Sequence, residues 1–197
     1  MPKKKSMKLA ARTFKEQAND TEAYTVAATS SNMSDGQKSR VYGGAVISLY
    51  RDFEYLILEL LVSAINNDTA TIRSTLGVSF PRHLTGDICR YIITGPSYFD
   101  FKGRDGLIKR VKQYVPPTHY LVDILKASKY RTVIERLCAL RNYSAHGSGQ
   151  SRKAALESVG QVRIGSAGSW LKRKGRFSAI VAKLTELADE IEDKAPY

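Results

Sequence analysis

From about Gly44 onward the apolar positions of this chain recur every three or four residues, with almost no alternation. Between residues 44 and 66, Ile47, Tyr50, Phe53, Ile57, Leu60, Leu61 and Ala64 trace one buried helical face, and Asn66-Asn67-Asp68 ends it. A second helix fits residues 84–93, entered after Pro81 and stopped by Gly95-Pro96. A third covers about 105–115, with Leu107, Ile108, Val111 and Val115 inside, and Pro116-Pro117 breaks it. Thr118 suits the N-cap of a short helix through Leu121, Ile124 and Leu125. The next helix spans about 129–145, and Gly147 is its natural stop. Phe177, Ile180, Val181, Leu184, Leu187, Ala188 and Ile191 hold helical spacing through a last one, and residues 153–158 suit a short one. Gly165–168 and Gly175 bracket a basic loop or hairpin, and only residues 161–164 alternate enough to suggest a strand. The pattern predicts an all-α protein, an up-and-down helical bundle of about five main helices.

The first forty residues read differently. They are rich in Lys, Ser, Thr, Asn and Asp; a short helix over 7–17 fits, but 29–36 lacks periodicity and reads as a linker. Residues 1–40 are therefore expected to be a flexible basic segment, and 41–197 the helical domain.

Composition narrows the class of protein. With 43% hydrophobic residues there is enough for a core, yet no apolar run reaches the ~18 residues of a membrane span, so no membrane partner is expected. Lys3, Lys4 and Lys5 precede no apolar run, so no secretory signal is expected. Cys89 and Cys138 sit in helical apolar patterns, as reduced core cysteines do, and the chain reads as cytoplasmic. Three histidines without Cys/His spacing predict no metal site, and nothing points to a cofactor. A net charge of +12 calls for a polyanionic partner. No basic amphipathic helix with an exposed apolar face stands out, which favours nucleic acid over a membrane surface. The positive charge gathers in 73–112, 126–153 and 163–176, and between Lys126 and Lys153 the only acidic side chain is Glu135.

Inside that basic stretch one position breaks the helical pattern. Ile134, Leu137 and Cys138 predict an apolar residue at 141, and Arg141 stands there. His146 follows five residues on, about 140° around an ideal helix from Arg141, whereas Asn142 and His146, four apart, share a face. A cation near a helix C-terminus also has a purely structural use against the macrodipole.

The segment Arg141-Asn142-Tyr143-Ser144-Ala145-His146-Gly147 resembles the motif of the HEPN superfamily (higher eukaryote and prokaryote nucleotide-binding domains), an arginine and a histidine separated by four to six residues. The resemblance covers roughly residues 42–192 and includes a polar residue, Asn142, directly after the arginine. It implies a HEPN-like bundle that forms a homodimer, with two motifs facing each other in one composite cleft. It also implies a metal-independent endoribonuclease. In that role Arg141 binds the scissile phosphate and stabilises the charge that grows on it. His146 moves a proton at the 2′-hydroxyl or the leaving oxygen, as histidine can near neutral pH. Asn142 orients the histidine or holds the phosphate.

Using the substrate's own 2′-hydroxyl restricts cleavage to RNA. Tyr143 and Arg136, with Arg152, Lys153, Lys172, Arg173 and Lys174, are the expected RNA-binding side chains. Family habit adds a toxin–antitoxin, abortive-infection or other defence setting, with an antitoxin or defence-system partner. One branch of the family carries a tyrosine two residues after the histidine, where a partner nucleotidyltransferase modifies it; Ser148 stands there instead. Two other readings stay open: a non-catalytic RNA-binding or nucleotide-sensing module, and a basic helical scaffold or DNA-binding protein.

Overall fold

The computed structural model describes residues 4–196, which form ten helices and no strand. In chain order they are α1 Met7–Ser30, α2 Asp35–Asn67, α3 Ala70–Leu76, α4 Gly86–Thr94, α5 Gly103–Val111, α6 Tyr120–Lys126, α7 Ser128–His146, α8 Gly149–Val159, α9 Ala167–Leu171 and α10 Arg176–Lys194. The protein is all-α. Four helices, α1, α2, α7 and α10, are long, and six shorter ones close the bundle around them. No helix is long and apolar enough to cross a membrane among the described residues.

The 33-residue α2 runs through the centre. Ser34 caps it with a full capping box: its hydroxyl accepts from Gln37 N–H, and the Gln37 side chain accepts from Ser34 N–H. Val46, Leu49, Phe53, Leu56, Ile57, Leu60, Leu61 and Ile65 are buried along its length, against α1, α4, α7 and α9. Ile47, assigned to the buried face by spacing, is exposed instead. The buried face includes Val46 and Leu49 in its place.

The N-terminal segment corrects the expectation of a flexible residue 1–40. Met7, Ala11, Phe14 and Ala18 are each no more than 1% exposed and form one α1 stripe, with Phe14 edge-on to Phe53 at 6.0 Å. Two of the four are alanines, so the stripe is faint beside the polar residues around it. Once folded it buries as completely as any part of the core. Lys5 N–H donates to the Asn66 side-chain oxygen at 2.7 Å, and Lys15 pairs with Asp189 and Glu192 of α10. The boundary expected after residue 40 falls inside α2, and the linker shrinks to Ser31–Ser34. Residues 1–3 and 197 lie outside the described residues.

Smaller departures share one physical origin, which is local capping. Ser148 accepts from Ser151 N–H and starts α8 at Gly149, four residues before the expected 153. Ser166 and Ser169 cap each other's backbone and turn five residues of the expected basic loop into α9. Residues 161–164 form no strand, and Val162 is 91% exposed.

Candidate functional site

The helix α7 carries the Arg-x4-His segment and ends within one residue of the predicted place. Gly147 adopts φ +60, a left-handed C-cap, and donates to the Tyr143 carbonyl at 3.1 Å. Because Ser148 then caps α8, two residues separate the helices and His146 is left exposed at the corner. Ser144 ties the same turn to α2 by donating to the Gly43 carbonyl at 2.9 Å.

Arg141 projects towards α2 rather than into the core stripe. Its Cζ lies 4.4 Å over the Tyr50 ring, a cation–π contact, and its guanidinium donates to the Asn142 side-chain oxygen at 2.9 Å. It forms no salt bridge among the described residues, and it is half-buried. This accounts for the arginine on an apolar line: its stem packs on a buried tyrosine while its charge stays reachable. Asn142 is exposed beside it, and His146 makes no hydrogen bond among the described residues. The structure thus brings Arg141 and Asn142 into contact and leaves His146 at the helix end, facing solvent.

Three residues join this cluster that sequence patterning did not single out as a site. Tyr50 is buried, donates to the Phe101 carbonyl at 3.4 Å, and has its hydroxyl pushed up by burial first and then by Cys138 and Glu54. Glu54, one turn along α2, has its carboxyl pushed up to about 7. Burial is the largest cause, the Arg141 guanidinium and the Tyr50 hydroxyl oppose it, and Asp100 adds to it. Cys138 is free, and burial pushes its thiol up to about 12, so it is a packing residue and no nucleophile. In the sequence, Glu54 only interrupts an apolar run; its proximity to Arg141 belongs to the fold.

The Glu54 shift makes stability depend on pH. Its folded value, about 7, lies above the ordinary 4.5, so the folded state holds a proton that the unfolded chain releases. The contribution is fully present below pH 4.5 and is lost as pH rises to about 7. The whole shift corresponds to about 3 kcal/mol, and solvent screening at a half-buried site reduces this to about 1 kcal/mol. Urea unfolding of wild type should therefore show a decline between pH 5 and pH 8 that Glu54→Gln reduces by about 1 kcal/mol. Equal declines in the two proteins would refute the shift.

The remaining predicted residues divide into two groups. Tyr143 is half-buried and donates to the Gly165 carbonyl at 3.2 Å, and Arg136 donates to the Ser158 carbonyl at 3.3 Å with its guanidinium 5.3 Å over Trp170. Lys172 pairs with Asp35 at the start of α2 and donates to its carbonyl at 3.2 Å, which makes it a tie between helices more than a free cation. Arg152 and Lys153 are exposed on the first turns of α8, and Arg173 and Lys174 are exposed in the turn after α9. His119 caps α6 through Nδ1, which accepts from Leu121 N–H at 3.3 Å, and burial pulls its imidazole down. Among the described residues no group of three or more His, Cys, Asp or Glu side chains is placed to hold a metal ion. Comparison with family models, with curated proteins and with solved structures returns no match.

Proposed function

We propose that this chain is a metal-independent endoribonuclease of HEPN type that cleaves RNA by attack of the substrate's 2′-hydroxyl. The observation that carries the reading is Arg141: a guanidinium without a salt bridge among the described residues, fixed over Tyr50 and in contact with Asn142, on the helix that ends at an exposed His146. An arginine so placed is suited to take a phosphodiester oxygen. Protonated Glu54 leaves that cation uncompensated, and the ionised form competes with a phosphate for it.

The chemistry balances without a further reagent. The 2′-hydroxyl proton passes to one His146 imidazole as the 2′-oxygen attacks phosphorus, and a His146 imidazolium, of the same or the second copy, returns a proton to the departing 5′-oxygen. The P–O5′ bond breaks, leaving a 2′,3′-cyclic phosphate and a 5′-hydroxyl. Arg141 stabilises the negative charge on the non-bridging oxygens, and Asn142 holds Arg141 or the phosphate.

A composite cleft in a homodimer accommodates the separation of Arg141 and His146 around α7. The outward side of α2 beside Glu54 exposes Ile47 and Tyr55 on either side of Arg51, a mixed surface that a second copy could cover. The HEPN-like arrangement of the bundle, RNA as substrate and a defence or toxin–antitoxin role with its antitoxin partner belong to the same proposal.

Product chemistry tests it. In EDTA the full chain should convert RNA to fragments ending in 2′,3′-cyclic phosphate, and an all-2′-deoxy oligonucleotide of the same sequence should stay intact. Cleavage of the deoxy strand, or no cleavage of RNA in EDTA, would remove the mechanism.

A further inference from the structure

A cavity of about 480 Å³ opens between the segment joining α8 to α9 and the turn after α9; Arg163, Gly165, Trp170, Lys172, Arg173 and Asp35 are among its lining residues. Its charge is one-sided. Asp35 is already paired with Lys172, while Arg163 and Arg173 are exposed and form no salt bridge among the described residues.

Two further arginines stand around the same indole: Arg176 Cζ lies 4.4 Å and Arg136 Cζ 5.3 Å from the Trp170 ring centroid. Neither has a carboxylate partner among the described residues; each is bound to a carbonyl, Arg176 to that of Trp170 and Arg136 to that of Ser158. Burial holds the Arg136 guanidinium below its ordinary value, and Arg176 pushes it further down. Arg176 is lowered by desolvation and then by Arg173. Two arginines over the ring and two more lining the cavity, none with a carboxylate partner among the described residues, create a positive potential that favours an external anion.

Trp170 supplies a second observation. The residue is 7% exposed, and the indole Nε1 is buried with no hydrogen-bond partner among the described residues. An indole N–H is a donor only, and this one is too enclosed for a ligand in the cavity to reach, so Trp170 serves as the ring two arginines flank and as a reporter of the cavity it lines.

The cavity is also connected to α7. Arg136 and Tyr143 are seven residues apart, on one face of the helix and about 10 Å apart along it. Arg136 reaches Trp170, and Tyr143 holds Gly165, so this face backs two of the residues that line the cavity. Arg141 points the other way, to α2, and His146 stands at the helix end between the two sides.

We propose that this cavity is a phosphate subsite that holds the RNA strand beyond the scissile bond, with Arg163 and Arg173 contacting the backbone and Arg136 and Arg176 reinforcing them from beneath Trp170. The assignment of RNA rests on the ribonuclease reading above. Phosphate recognition itself rests on the arginines, above all the exposed and unpaired Arg163 and Arg173.

Trp170 is the single tryptophan of the chain, so its emission reports on the cavity alone. The probe is a 2′-O-methyl uridine dodecamer, which cannot be cut by the 2′-hydroxyl route, added to the full chain. Binding should change Trp170 emission. The double change Arg163→Glu with Arg173→Glu should raise Kd at least tenfold at 0.1 M salt, abolish most of the emission change and lower the salt slope by about 1.4, the value for two phosphates on a single strand. Lys109→Glu with Lys112→Glu, exposed at the end of α5, alters net charge equally and should cost under threefold.

Equal weakening by both pairs, or an emission unaffected at saturation, overturns the subsite. Cleavage of unmodified RNA is read separately. Its absence alongside the expected binding pattern supports the subsite and overturns only the catalytic reading.

Discussion

Gly168→Ala should be the most destabilising single-methyl addition in this protein, costing about 3 kcal/mol or more and lowering Tm by roughly 6–12 °C. A Cβ built at Gly168 overlaps the Ser39 carbonyl oxygen and comes within 2.8 Å of the Gly43 nitrogen. Both are backbone atoms of α2, which cannot turn aside as a side chain can. The backbone of α9 therefore has to retreat from α2, and α9 buries Ala167, Trp170 and Leu171 against the core. Gly43 lies at the same junction, since its carbonyl accepts from Ser144 on the turn that presents His146.

Gly44→Ala is the control. A Cβ there meets nothing within 4 Å, and a helix-interior glycine replaced by alanine gains about 0.5–1 kcal/mol. Thermal melts followed by helical circular dichroism should move in opposite directions for the two variants. A Gly168→Ala protein that melts with wild type would mean that α9 does not sit on α2 as described.

Gly168 also marks where sequence ceases to be informative. The helix α7 was legible almost to the residue, because Ile134, Leu137 and Cys138 announce its face and Gly147 its stop. Both signals are local. The helix α9 was not legible: five residues carry little periodicity, and its serine-to-serine capping box lacks the Glu or Gln that usually advertises one. The N-terminal helix, read only over 7–17 inside a flexible segment, starts at Met7 as expected but runs on to Ser30, and it was cut short for another reason. Its stripe of Met7, Ala11, Phe14 and Ala18 has correct spacing but little apolar mass, so polar composition prevailed over period.

The site was legible in the same uneven way. Arg141 betrayed itself by standing on an apolar line, and that inconsistency could be seen within one helix. Its partners could not. Tyr50 looked like ordinary core and Glu54 like a solvated interruption; only the packing of α7 on α2, across some ninety residues of chain, gives them a common role. Likewise Lys172 reads in the sequence as free positive charge, whereas the fold sets Asp35 beside it, and no local pattern announces that Trp170 sits under two arginines.

His146→Ala should lower kcat for RNA cleavage by about 10²–10⁴-fold while leaving RNA affinity within about threefold. The side chain is exposed, ends its helix and makes no hydrogen bond among the described residues, so its removal leaves the fold intact and the loss reports on chemistry. Cleavage within threefold of wild type would exclude it as the proton-transfer group. The 140° between Arg141 and His146 gives the variant a second use. Arg141→Ala should be comparably inactive through lost phosphate stabilisation. If each of the two Arg–His pairs in the composite cleft joins the arginine of one copy to the histidine of the other, mixing the two dead variants rebuilds one complete pair in every mixed dimer. Random pairing then restores about a quarter of wild-type activity. If both groups act within one copy, the mixture stays inactive, and Arg141 must instead reach around its own helix to the phosphate that His146 serves. Activity in the mixture thus decides whether the separation is a defect of the site or the reason it needs two chains.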